Sequence, residues 1–155
     1  MSGQIDERLR ELGVELPEAA APAANYVSYV VSGNMLYVSG QLPKRENQDL
    51  RTGTLGTGVA IEVAQAEARQ CGINIIAQVK KALDGNLDRV KRCIKLGGFV
   101  ACSSDFFDHP KVINGASDLM VEVFKEKGKH ARFAVGAESL PFGVMVEIDA
   151  IFEIE

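Results

Sequence analysis

Hydrophobic residues along the chain change their spacing several times, and each change marks an element. Ile5, Leu9 and Leu12 stand among charges at helical intervals, which predicts a short amphipathic helix over Ile5 to Leu12, stopped near Gly13. The segment Leu16-Pro17-Glu18-Ala19-Ala20-Ala21-Pro22-Ala23-Ala24 reads as an extended connector on the outside, because each proline biases its predecessor away from helix. Two β-rich runs follow, Tyr26 to Val31 and Met35 to Ser39, around Ser32-Gly33-Asn34, a short-range hairpin signal. The stretch Pro43 to Gly58 is polar and dotted with glycine, as a surface loop is.

From Val59 to Leu83 the period becomes helical, with Ala60, Val63, Ala64, Cys71, Ile75, Val79, Ala82 and Leu83 in the apolar set. Glu62, Gln65, Glu67, Arg69, Lys80 and Lys81 supply a wet side. A strand over about Val90 to Cys102 contains Gly97-Gly98, a bulge or a close approach. Asp108-His109-Pro110 opens a second long helix, with Asp108 as N-cap candidate and Pro110 in the first turn. Its stripe is Val112, Ala116, Leu119 and Val123, and Gly128 ends it. Arg132 to Ala137 and Val144 to Ile154 form a terminal strand pair joined by a turn built on Leu140-Pro141. The order ββ, helix, β, helix, ββ indicates an α+β layer fold with two helices on one face of a sheet. Residues 1–24 are the short helix and connector, and residues 25–155 are a single domain.

Alternation along the last strand puts Val144, Val146, Ile148, Ala150, Phe152 and Ile154 on a core face. Met145, Glu147, Asp149, Ile151, Glu153 and Glu155 fall on the other, a mixture suited to a cleft or a subunit contact. Since the strands stay apolar or mixed on both sides, the face without helices is an association surface, and an oligomer with packed sheets is expected.

Composition narrows the class. At 155 residues, 46% of them hydrophobic, the chain has the size and make-up of one folded domain. A net charge of −4 without a Lys/Arg block makes nucleic acid a poor partner, because its binding rests on neutralising phosphates. Cys71, Cys93 and Cys102 lack ligand spacing and read as small buried hydrophobes with free thiols. No apolar stretch is long enough to span a bilayer, and charges at Asp6, Glu7, Arg8, Arg10 and Glu11 break any signal-like run, so the cytoplasm is the expected compartment.

Candidate chemistry gathers near the C-terminus, where Arg132 and Glu147 each sit in an apolar strand. A guanidinium is a planar fork, always charged and suited to a carboxylate, so Arg132 needs a partner: Glu147, a bound anion, or both. The plainer reading is an ion pair that only sets packing. Gly53, Gly56 and Gly58 lack the Lys-Ser/Thr of a phosphate loop and read as loop flexibility. His109 and His130 read as first-turn and strand-entry residues without triad spacing.

Several motifs together resemble the RidA/YjgF family of enamine/imine deaminases over about Tyr26 to Glu155. They are Asn25-Tyr26-Val27, Gly33-Asn34-Met35, Ser39-Gly40-Gln41-Leu42-Pro43, Val112-Ile113-Asn114, and Arg132 followed by Leu140-Pro141 and Val146-Glu147-Ile148. The resemblance implies a chorismate-mutase-like α+β fold with a mixed sheet, forming a homotrimer with clefts between subunits. It implies that Arg132 holds a substrate carboxylate, that Glu147 assists water, and that Tyr26, Ser39, Gly40 and Asn114 line the pocket. The implied reaction converts 2-imino acids or their enamines to 2-keto acids and ammonia, with no metal or organic cofactor. Departures from the family pattern are the Met1 to Ala24 extension, Phe133 beside the arginine, and Ala134 where some deaminases carry cysteine. A non-catalytic module for small carboxylates and an RNA-acting translation inhibitor or endoribonuclease are the alternatives.

Overall fold

The computed structural model describes residues 3–22 and 24–155, so Met1, Ser2 and Ala23 of the expected extension lie outside the described residues. Helix α1 spans Gln4–Glu11, β1 Tyr29–Ser32, β2 Met35–Gln41 and α2 Ile61–Ala82. Strand β3 spans Val90–Ala101, α3 His109–Phe124, β4 Ala131–Ala137 and β5 Val146–Ile154. The sheet runs β1-β2-β5-β3-β4, and only the β3/β4 pair is parallel. This is the α+β layer arrangement with a mixed sheet that the pattern and the resemblance predict.

The terminal strands are not a hairpin, contrary to the sequence expectation. The chain leaves β3 through α3, and a connection through a helix returns parallel to its starting strand. Strand β4 therefore pairs with β3 at the sheet edge, and β5 inserts between β2 and β3. In contrast, β1 and β2 do form the expected hairpin, with Gly33 at φ +61°, the left-handed value that a primed two-residue turn needs at its first position.

Parity along β5 is as the alternation predicts, but Met145, just ahead of the strand, is buried in the core instead of lying on the open face. Val144, Val146, Ile148, Ala150, Phe152 and Ile154 are all buried, beneath α2 and α3. Burying each large apolar side chain contributes about 1.5–3 kcal/mol, so this row is a principal source of stability. Gly97-Gly98 is a close approach rather than a bulge, since a Cβ on Gly98 would lie 2.7 Å from Ile113 of α3 and one on Gly97 would lie 2.7 Å from the Phe133 ring. The opposite face carries Val30, Tyr37, Phe99 and Val135, all exposed in a single chain.

Two expectations about polarity are corrected. Glu67 is fully buried rather than on the wet side of α2, because the 43–58 segment folds back and brings Arg45 Nη2 to 2.7 Å and Arg51 Nη1 to 3.9 Å from its carboxylate. That segment is accordingly not a free surface loop: Leu55 is fully buried and its backbone bridges to Ala101 and Ser103. Helix α3 also ends earlier than Gly128, at Phe124, and passes into a 3₁₀ turn over Lys125–Gly128. At the other end of the molecule Asp88 accepts the Gln4 and Ile5 amides at 3.0 Å each, so a distant side chain caps α1.

Candidate active site

The site residues divide between the two faces of the sheet. On the open face, β2 carries two residues, Ser39 and Gly40, against one on β5, Asp149, between the Val38/Ala150 and Gln41/Ile148 pairs. This bulge turns the backbone of residue 40 toward the neighbouring strand. There the Glu147 carboxylate lies directly over Gly40, and any Cβ would meet its Oε2 and stand 3.1 Å from its Cδ. Ser39 does not present its hydroxyl to the cleft; it donates to Val27 O at 2.7 Å, while its amide donates to Ser28 O at 2.9 Å. These bonds replace regular strand pairing ahead of Tyr29, which is why β1 starts three residues later than predicted.

Two hollows adjoin Gly40. One, about 360 Å³, is walled by Gly40, Phe99, Ala137, Leu140, Glu147 and Asp149. The other, about 490 Å³, includes Tyr26, Gly40, Lys44, Leu50 and Phe142, with Ala20 to Pro22 of the connector along its rim. Gln78 Nε2 and Ser28 Oγ both donate to Ala20 O, at 2.8 and 3.2 Å, which fixes the connector there. Thus Tyr26, Ser39, Gly40 and Glu147 belong to one region. Burial raises the Glu147 carboxyl above its ordinary range, and the nearby Asp149 charge raises it further. Asp149 is raised by burial too, against the opposing effects of the Gly97 amide and Lys95.

Arg132 and Asn114 lie on the helix side. In the parallel pair Arg132 stands beside Leu96, a core residue, whereas Glu147 stands beside Phe99 on the open face. Arg132 Nη1 donates to Ser117 Oγ at 3.0 Å and Nη2 donates to Pro110 O at 3.2 Å. Pro110, Asn114 and Ser117 follow at helical spacing along one face of α3, which brings Asn114 to the same side as the guanidinium. Arg132 and Glu147 therefore do not pair within the chain, and the ion-pair reading fails there. Both hydrogen-bond partners of Arg132 are neutral, so its charge remains available for an anion.

Sequence reasoning missed several contributors. Asp149 was reachable from parity with Glu147, and Ser117 from its three-residue offset from Asn114. Phe142 was not, because its exposure depends on a left-handed φ of 59° in the Pro141–Gly143 turn. Cys71 and Cys93 are buried, and burial pushes the Cys93 thiol up to about 12. Cys102 is only partly buried, with Sγ 3.3 Å from His109 Nε2. Among the described residues there is no group of three or more His, Cys, Asp or Glu placed to hold a metal ion, and no helix is long and apolar enough to cross a membrane.

An α+β chain with this sheet order, a carboxylate over a glycine bulge and an arginine at the opposite edge matches one family over nearly its full length. The family model described as "YjgF/chorismate mutase-like, putative endoribonuclease" matches residues 6–153, and the chain belongs to this family, the RidA/YjgF family that its motifs resemble. Protein TCP17 of Trypanosoma cruzi is 51% identical over 154 residues, covering 99% of this chain and 96% of that protein. A crystal structure of the protein Atu1372 from Agrobacterium tumefaciens is similar at 52% identity and a TM-score of 0.90, covering 97% of this chain and 92% of that one. A 2-iminobutanoate/2-iminopropanoate deaminase of Dermatophagoides farinae is 29% identical over 142 residues, covering 92% of this chain and 95% of that protein.

Proposed function

We propose that the protein hydrolyses reactive 2-imino acids, or their enamine tautomers, to 2-keto acids and ammonia in clefts between copies of a homotrimer. The observation that carries this is the division of the site: an uncommitted guanidinium on one face and a carboxylate with raised proton affinity on the other. Two such halves serve one substrate only when Arg132 of one copy faces Glu147 of the next. The exposed apolar residues of the open face support that assembly, since burying them favours association. Membership of the family and likeness to the mite deaminase support the reaction class.

In this reading Arg132 grips the substrate carboxylate and fixes the imine carbon beside Glu147. A protonated imine is already electrophilic, so water adds to its carbon once a base accepts the water's proton. Glu147 takes that proton, and the C–O bond forms as the C=N π pair moves to nitrogen. The same carboxyl returns the proton to the amine nitrogen; as the C–N bond breaks and ammonia leaves, the hydroxyl oxygen forms the carbonyl and gives its proton to the Glu147 carboxylate, which passes it to the departing ammonia. Orientation supplies most of the acceleration. Gly40 matters because a side chain at that position would displace Glu147. No step requires a metal or organic cofactor.

The test is keto-acid formation from freshly generated 2-aminoacrylate by purified protein, with Arg132→Ala and Glu147→Gln as controls. Acceleration lost in both variants supports the reading. A wild-type rate no faster than buffer across several imino acids would sink it. Saturable carboxylate binding without turnover would instead support the binding-module alternative, and salt-sensitive RNA binding the RNA-acting one.

A further inference from the structure

His130 has no place in the reaction just described, yet it lies in line with the guanidinium. Its Nδ1 is 2.6 Å from Gly128 O, its Nε2 is 2.8 Å from Ser117 Oγ, and that oxygen is 3.0 Å from Arg132 Nη1. The chemistry of the end groups fixes the direction of every link. A carbonyl only accepts, so Nδ1 carries the proton and donates to Gly128 O. In the neutral ring Nε2 is then a lone pair, and the Ser117 hydroxyl donates to it. A guanidinium only donates, so Arg132 gives an N–H to a lone pair of the Ser117 oxygen. The serine is thereby satisfied as donor and acceptor at once, and its oxygen cannot rotate away without breaking a bond.

We propose that Ser117 and His130 are positioning residues for Arg132: their relay, anchored on Gly128 O, sets the plane of the guanidinium and so makes the site select a carboxylate over its neutral amide. This rests on the reading of Arg132 as the carboxylate-binding group. The second anchor, Nη2 to Pro110 O at 3.2 Å, comes from the second residue of α3 on the same helix face, so two fixed points orient the planar fork. Two of its five N–H groups are used, and the other three remain for a ligand. Among the described residues these are the hydrogen bonds of the Arg132 side chain, which extends from β4, an edge strand, and makes no ion pair there. Bidentate binding depends on alignment of both N–H bonds with the carboxylate plane, so loss of the relay costs selectivity rather than the charge itself.

Two measurements decide it. Nitrogen NMR of His130 at mildly alkaline pH is expected to show the proton on Nδ1 and none on Nε2, and Ser117→Ala is expected to keep the proton on Nδ1 while shifting the Nε2 resonance, which loses its hydrogen bond. Titration with pyruvate and with pyruvamide is expected to show pyruvate affinity falling about tenfold in Ser117→Ala and in His130→Phe, with pyruvamide unchanged. Ser117→Thr, which keeps the hydroxyl, is expected to restore pyruvate binding. A proton on Nε2, or pyruvate affinity untouched in both variants while wild type binds it, overturns the relay. A wild-type chain that binds no pyruvate overturns the carboxylate reading and the selectivity with it, while the tautomer still decides whether the relay exists.

Discussion

If Arg132 and Glu147 act on one substrate, each must come from a different copy, because the two side chains leave opposite faces of the same sheet. Mixing two inactive variants exposes this. Arg132→Ala keeps Glu147, Glu147→Gln keeps Arg132, and neither homogeneous protein contains a complete cleft. In a closed ring each cleft joins the arginine of one copy to the glutamate of the next, so random equal mixing rebuilds both groups in about one quarter of the clefts. The assay is keto-acid formation from 2-aminoacrylate after the variants have exchanged subunits, with native mass spectrometry verifying mixed oligomers. Recovery near one quarter of the wild-type rate is expected. Mixed oligomers with no recovered rate would refute the shared cleft, since a site built within one chain stays broken in every copy.

Other predictions concern charge and packing. Glu147 and Asp149 hold protons above the ordinary carboxylate range, so between the ordinary and raised values the folded chain binds more protons than the unfolded one. Stability contributed there is present at lower pH and declines as pH rises through the raised values; melts across pH should show it, with a shallower slope in Asp149→Asn. The rate runs oppositely, since the base must be ionised: kcat/KM should fall as pH drops through the raised Glu147 value. Arg45→Ala leaves the fully buried Glu67 with only Arg51 at 3.9 Å, so a loss on the order of 3–5 kcal/mol is expected in denaturant titration. Removing Glu67 should cost less, because the Arg45 side chain is 22% exposed and can turn to water. Gly98→Ala drives a methyl into Ile113 and should destabilise by about 1–3 kcal/mol, read from the thermal midpoint.

Periodicity carried most of the architecture because it is a local signal. The alternation from Val144 to Ile154 specified the buried row of β5, and the apolar stripe of α3 appears in the core at the predicted positions. The left-handed requirement at Gly33 likewise belongs to a turn of two residues. The motif resemblance, carried by residues such as Arg132 and Glu147, identified the family that the full-length match establishes.

Strand order, in contrast, is not written in any window of the sequence. Whether Arg132 neighbours Glu147 depends on β4 crossing to the far side of β3 while β5 returns to the centre of the sheet, a choice made by helix packing and crossover handedness. The fate of Glu67 depends on a segment about twenty residues upstream folding back with two arginines, which helical spacing cannot reveal. The relay through Ser117 and His130 arises from the same cause, for three elements meet at the sheet edge and only their juxtaposition gives the histidine a partner. Sequence alone determined which residues carry charge and which seek burial; tertiary structure decided which of them meet, because side-chain contacts between distant segments are fixed by packing in space and not by order along the chain.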